Sequence, residues 1–203
     1  MISLYELKPR FQALLRPMAC RLHGYGVSAN QVTVAALALA VVAAGAIGLW
    51  PTPTTLLLLP PVLVIRMALN ALDGMLAREF QQPTPLGAVL NELGDVLADA
   101  ALYLPLLLIP GVSATLVMAL VWLALLSEFC GVAAVQIGAS RRYDGPLGKS
   151  DRALLLGGIA VVLGCGVPAG FWLTTLLFAA NGLLALTCFN RLRAALREGT
   201  PCP

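Results

Sequence analysis

The chain has 203 residues, 59% of them hydrophobic and 11% charged. A soluble domain carries about 25% charged residues, so this composition excludes an ordinary soluble protein and points to an integral membrane protein, at a length that suits one compact helical bundle. The net charge of +3 is too small to suggest nucleic acid as a partner, and the five cysteines are scattered without metal-ligand spacing.

Residues 1–25 alternate apolar and basic side chains. Leu4, Leu7, Phe11, Leu14, Leu15 and Met18 recur at helical spacing, with Lys8, Arg10, Arg16 and Arg21 around them. This predicts an amphipathic juxtamembrane helix lying on the membrane surface; packing on its own bundle is the alternative. The segment is polar and interrupted by Pro9 and Pro17, so it does not read as a cleavable signal peptide. His23, the single histidine, reads as structural or solvated.

Residues 27–33 open the first span, which Ser28 or Asn30 can cap. Six apolar segments follow, at 30–50, 54–79, 86–109, 112–138, 152–167 and 169–190. The predicted fold class is an all-α integral membrane bundle. Six transmembrane helices, forming one domain over 26–203, follow the interfacial helix. The fifth segment is short. The connections 50–54, 110–113 and 167–170 carry no charge.

Thirteen residues are Lys or Arg. Apart from Arg66, all lie on the side of both termini and the even-numbered loops. The positive-inside rule places both termini and the loops at 80–85 and 139–151 in the cytoplasm. The expected location is the bacterial cytoplasmic (inner) membrane.

The stretch 70–99 sets polar side chains into this apolar chain. Asn70, Asp73 and Ala77 share one helical face, and Asn91, Asp95 and Asp99 share another. Residues 81–85, Gln-Gln-Pro-Thr-Pro, form a turn between them. A helical hairpin with facing polar stripes suits a hard cation such as Mg²⁺ or Mn²⁺. An inter-helix hydrogen-bond cluster is the plainer reading. Counted from the uncharged loops, Asp73 and Asn91 lie about 28 Å in, Asn70, Asp95 and Glu128 about 23 Å, and Arg66 and Asp99 about 17 Å. The deepest two read as a structural ion pair.

The same residues resemble the signature of the CDP-alcohol phosphotransferase (CDP-alcohol phosphatidyltransferase, class I) family, D-x2-D-G-x2-A-R-x8-G-x3-D-x3-D. Asp73, Gly74, Ala77, Arg78, Gly87 and Asp95 match it, and Asn70 and Asn91 stand where two aspartates belong. Within the family the pattern is similar to the bacterial YnbA-like branch. The opening at 28–33 resembles the family's T-P-N-x-x-T, with Ala29 in place of proline. Gly148-Lys149 followed by Arg152 resembles its phosphate-holding basic loop.

The resemblance implies transfer of a substituted phosphate, phosphatidyl from CDP-diacylglycerol or another CDP-alcohol, to an acceptor alcohol, with release of CMP. It implies Mg²⁺ or Mn²⁺ held by Asn70, Asp73, Asn91 and Asp95, with Asp95 also orienting or deprotonating the acceptor. Asn30, Thr33, Gly74, Ala77, Arg78 and Gly87 would bind the CDP-alcohol. Lys149, Arg152, Arg141 and Arg191 would hold an acceptor phosphate, and Glu128 would compensate for the two asparagines. The partners implied are membrane lipids and a second copy of the chain in a homodimer. Two other readings are a non-catalytic lipid- or nucleotide-binding member and a small transporter. The transporter ranks last because inverted repeats and broken helices are absent from the sequence pattern.

Overall fold

The computed structural model describes residues 4–199, with side chains described from Phe11 onward. The predicted apolar face at Leu4 and Leu7, the basic Lys8 and Arg10, and Cys202 lie outside those side chains. Among the described residues there is no strand, and helices joined by turns and loops make up the fold: α1 Leu4–Gly24, α2 Ala29–Leu49, α3 Pro53–Leu56, α4 Leu59–Glu79, α5 Pro85–Tyr103, α6 Ala114–Ala133, α7 Lys149–Gly164 and α8 Phe171–Glu198.

The boundaries follow local chemistry. Ser28 caps α2 in a capping box: its hydroxyl accepts from Gln31 N at 3.3 Å, and Gln31 Oε1 accepts from Ser28 N at 2.9 Å. The second apolar segment is not one helix. Pro60 and Pro61 lack amide protons, so the chain breaks into α3 and α4 around Leu57 and Leu58. Thr84 caps α5, with Pro85 in its first turn. At the far end Pro105 tightens the chain into a 3₁₀ turn over Leu104–Leu108.

Four stretches are long and apolar enough to cross a membrane: Ala29–Leu49, Pro53–Glu79, Ala114–Ile137 and Phe171–Glu198. The sequence reading expected six. α5 carries Glu92, Asp95 and Asp99, and α7 has only 16 residues, so neither qualifies on length and apolarity alone. Large apolar side chains such as Val42, Trp122, Phe129 and Phe178 face outward. An apolar exterior of this kind fits lipid and not water.

The inside is built on small contacts. Ala36, Ala40 and Ala43 are buried along one face of α2, which packs against α4 and α5. Such residues let helix backbones approach closely. The main core joins α2, α4, α5, α6, α7 and α8. A second cluster docks α1 on α4 through Leu15, Ala19, Leu72, Met75 and Leu76. An Arg16–Glu79 pair at 2.9 Å reinforces it. Leu14 and Met18 stay exposed on the opposite side.

Candidate functional site

An open cleft of about 380 Å³ lies between α2, α4, the 81–84 turn and the start of α5. Asn30, Thr33, Asn70, Asp73, Gly74, Ala77, Arg78, Gly87 and Asn91 all line it. The faces that spacing assigned along α4 and α5 supply Asn70, Asp73, Ala77 and Asn91, and the start of α2 adds Asn30 and Thr33.

Each is held by a local device. Thr33 Oγ1 lies 2.8 Å from Asp73 Oδ2 and 3.1 Å from the Ala29 carbonyl. Its single proton serves the carboxylate, the shorter contact. Asn70 Nδ2 donates to Asp95 Oδ1 at 2.9 Å, which leaves its own Oδ1 for another partner. Gln82 Oε1 accepts from Ala29 N at 2.9 Å and ties the turn to α2. Gln81 takes a left-handed φ of 55° at that turn.

Two glycines make room. A Cβ on Gly87 would stand 2.5 Å from Asn30 Oδ1, so glycine lets α5 meet α2 where Asn30 Nδ2 donates to Thr84 Oγ1 at 3.2 Å. A Cβ on Gly74 would meet the Arg78 guanidinium at 2.8 Å. Arg78 folds back over that bare backbone, and no carboxylate pairs with it among the described residues.

Behind the cleft runs a chain of ion pairs. Asp95 is engaged by Asn70, by Arg66 at 3.4 Å and by the Lys149 ammonium. Arg66 reaches Asp99 at 2.6 Å, and Asp99 meets Arg152 at 2.9 Å. Arg152 continues to Glu128 at 3.0 Å, which also faces Arg141 at 3.3 Å and Arg191 at 3.4 Å. Arg141 ends the chain on Glu92 at 2.6 Å and stacks over Tyr143. Arg191 further donates to the Ser127 carbonyl at 2.5 Å. Charges inside an apolar bundle persist only when paired in this way.

The predicted residues thus divide. The cleft gathers nine of them. Asp95 sits one helical turn past Asn91 and is shielded by Asn70, Arg66 and Lys149. Glu128, expected from sequence to compensate for the asparagines, does not line the cleft, and three guanidiniums surround its carboxylate. Arg152 and Arg191 are each 2% exposed and enclosed among carboxylates and carbonyls, whereas the sequence reading set them against an open phosphate site. Arg141 is likewise committed. The Arg66–Asp99 pair stands as expected.

Sequence reasoning missed Glu92, the partner of Arg141, and Thr84 and Gln82, which build the turn side of the cleft. Thr84 carried a legible signal, a threonine before proline at a helix start. Glu92 carried none, because its neighbour on the facing loop is far away in sequence.

The loop after α6 is pinned at several points. Arg142 N donates to the Gly131 carbonyl at 3.1 Å, and a Cβ on Gly131 would come within 2.6 Å of the Arg142 carbonyl. The Arg142 guanidinium grips Asp144 through two bonds of 2.8 and 2.9 Å and holds its carboxyl below the usual carboxylate range. Gly145, at φ 127°, presses on Thr187 of α8.

As a cation site the cleft offers the Asp73 carboxylate with the amide groups of Asn70 and Asn91. These are oxygen donors carrying one negative charge. Among the described residues no three His, Cys, Asp or Glu side chains converge as a metal centre. The donor set fits one hard cation, and it does not fit two.

Residues 26–187 match the family model for CDP-alcohol phosphatidyltransferase. The chain is 49% identical over 198 residues to the inner membrane protein YnbA of Escherichia coli K12, covering 96% of this chain and 97% of that one. Its fold is similar to that of Mycobacterium tuberculosis phosphatidylinositol phosphate synthase, PgsA1, in two crystal structures. The complex with manganese and citrate has a TM-score of 0.71 at 24% identity, covering 89% of this chain and 88% of that one. The form with CDP-DAG bound has a TM-score of 0.70 at 25% identity, covering 88% and 92%. With the signature side chains gathered in one cleft and a family model matched across 26–187, this membrane protein belongs to the CDP-alcohol phosphatidyltransferase family.

Proposed function

We propose that the chain transfers the phosphatidyl group of CDP-diacylglycerol to an acceptor alcohol and releases CMP, as a step of phospholipid biosynthesis. The observation that carries this reading is the cleft itself: Asn30, Thr33, Asn70, Asp73, Gly74, Arg78 and Asn91 share one opening. CDP-DAG bound to PgsA1, at about the same length and fold, adds support.

In this reading the diphosphate lies against Gly74 and the start of α5, where glycine permits close approach, and Arg78 pairs with a phosphate oxygen. Asp73, oriented by Thr33, and the Asn70 and Asn91 oxygens would hold one Mg²⁺ or Mn²⁺. When bound, that cation supplies charge neutralisation at the diphosphate. The acceptor oxygen bonds to the phosphorus bearing diacylglycerol, and the bond from that phosphorus to the CMP oxygen breaks. The acceptor proton passes to Asp95 after Lys149 turns away from its carboxylate.

The same reading takes α5 and α7 as the remaining two of six spans, packed inward by their ion pairs. It takes 1–25 as a surface segment whose exposed Leu14 and Met18 enter the interface, and 26–203 as the catalytic unit. Both termini and the cleft then face the cytoplasm of a bacterial inner membrane.

The test is CMP release by the full chain from CDP-diacylglycerol, Mn²⁺ and a panel of alcohols. Wild type should turn over. Asp73→Asn keeps an acceptor for Thr33 but loses the charge, and it should lower the rate at least about 100-fold. One specific observation favours a second reading, a non-catalytic lipid- or nucleotide-binding member: Asp95 is neutralised by Lys149 and Arg66. That reading requires saturable CDP-diacylglycerol binding with no CMP release for any alcohol.

A further inference from the structure

We propose that the acceptor alcohol of this protein carries no net negative charge: it is a neutral polyol or a zwitterionic alcohol, and it is not a phosphomonoester. The inference rests on phosphatidyl transfer as the reaction and names the acceptor class.

The argument starts from the cations that could receive an acceptor phosphate. Arg141, Lys149, Arg152 and Arg191 are the basic side chains on the far side of Asp95 from the donor cleft, and every one has a carboxylate partner. Arg141 pairs with Glu92 and Glu128, Lys149 with Asp95, Arg152 with Asp99 and Glu128, and Arg191 with Glu128. With Arg66 the cluster holds five cations and the four carboxylates Glu92, Asp95, Asp99 and Glu128, one net positive charge when all are ionised, and each of the five cations is already in contact with at least one of these carboxylates.

Space points the same way. The small gap that Asp99, Glu128 and Arg152 share with Val96, Ala100, Val121, Ala124 and Leu125 is too tight for a water molecule. A phosphate dianion would have to displace carboxylates from two or more guanidiniums and leave them unpaired next to itself, in a low-dielectric surrounding. The donor cleft is different, because Arg78 lines it with no carboxylate partner among the described residues. The unpaired cation therefore serves the CDP-linked diphosphate, and the paired ones leave nothing for a further anion.

What the paired cluster does present is an alternating rim. The side chains of Glu92 and Lys149 are 33% and 34% exposed, and those of Arg141 and Asp95 24% and 23%. Hydroxyl groups suit such a rim, since each can donate to a carboxylate and accept from a neighbouring cation without breaking the pair. A zwitterion can lie along it with its charges opposed to those of the rim.

Two measurements on the full chain in detergent at low salt test this. In calorimetric titrations, inorganic phosphate and glycerol 3-phosphate should show no saturable binding to wild type in the millimolar range. Glu92→Gln, a half-exposed position where folding is safe, frees one Arg141 contact. It should tighten phosphate binding at least about tenfold, the value of one charge-assisted hydrogen bond. In the CMP-release assay, glycerol, myo-inositol and serine are compared with glycerol 3-phosphate and inositol phosphate. Turnover with an unphosphorylated alcohol alone supports the proposal. Saturable phosphate binding by wild type, or turnover favouring a phosphorylated acceptor, overturns it. CMP release with none of the alcohols sinks phosphatidyl transfer itself, and the phosphate titration then still decides whether the cluster is closed to anions.

Discussion

Among the described residues, Glu128 is the carboxylate with the most ion-pair partners. Arg141, Arg152 and Arg191 all reach it, and it is 9% exposed. Replacing it with glutamine keeps the shape and removes the charge, so the nearly buried Arg191 guanidinium loses its carboxylate partner and Arg152 keeps only Asp99. Breaking a buried pair from one side costs about 3–5 kcal/mol. Glu128→Gln should therefore lower the thermal midpoint of the purified protein sharply. Glu92→Gln, at a half-exposed pair, should cost about 1 kcal/mol or less. Equal midpoints for the two variants would contradict the ion-pair chain. This residue also marks the limit of what the sequence disclosed. Spacing along α4 and α5 puts Asn70, Asp73 and Ala77 on one helix face and Asn91 on a facing one, because a face is fixed by the 3.6-residue repeat, while Gly74, Arg78 and Gly87 come from the family resemblance; the cleft holds them together. Depth counting matched Arg66 to Asp99 and Asn70 to Asp95. It also set Glu128 level with Asp95, but depth carries no rotation about the helix axis. Glu128 turned toward the loop after α6, and only the tertiary fold settles that direction.

At the scale of elements, the loop after α6 decides whether the ion-pair chain behind the cleft stays assembled. It carries Arg141 into the ion-pair chain and docks on α8 at Gly145, whose φ of 127° favours glycine and whose Cβ would fall 2.6 Å from Thr187. Gly145→Ala must strain the backbone or lift the loop, at a cost of about 1–3 kcal/mol. Faster tryptic cleavage after Arg141 or Arg142, with the α-helical signal retained, is the expected outcome; an unchanged cleavage rate would mean that the dock does not constrain the loop. The Arg142–Asp144 grip adds a pH dependence. Its folded carboxyl lies below the ordinary value, so its contribution is present above the unfolded pKa and is lost as pH falls through the folded one. Loop protection should be constant from neutral pH downward and weaken only below about pH 4, read by hydrogen exchange at residues 140–147. The α3–α4 break belongs to this scale too. The Pro60-Pro61 pair was visible in the sequence, but the run of apolar residues on both sides outweighed it in a reading by hydropathy. Proline acts on backbone donors and sterics, which hydropathy does not measure.

For the whole molecule, the arrangement of charge makes one claim about how the bundle sits in its membrane. The cleft opens at the start of α2, the end of α4 and the start of α5. The same end of the bundle carries the loop after α6 and the start of α7, since Arg141 and Lys149 reach Glu92 and Asp95 of α5. The other ends, at 50–54, 110–113 and 167–170, hold no Lys, Arg, Asp or Glu. Lys and Arg near span ends are retained on the cytoplasmic side, and short loops obey this bias most closely. Under the proposed function a nucleotide-linked donor would also be met from the cytoplasm, so the charge asymmetry and the proposed chemistry lead to the same orientation as a prediction. Single cysteines at Gln82 and Gly138 should then resist a membrane-impermeant maleimide in intact cells and react after permeabilisation, in a background with the native cysteines replaced. Cysteines at Val112 and Pro168 should react without permeabilisation. The second pair also tests α5 and α7. If α5 alone failed to cross, 112 and 168 would share the side of 82 and 138 would take the other. If α7 alone failed, 168 would join 82 and 138. If both failed, 138 and 168 would lie opposite 82 and 112, the arrangement of the four helices that qualify on length and apolarity. Labelling at 82 from outside would reverse the orientation instead, and it would set the cleft on the side where no CDP-linked donor is made.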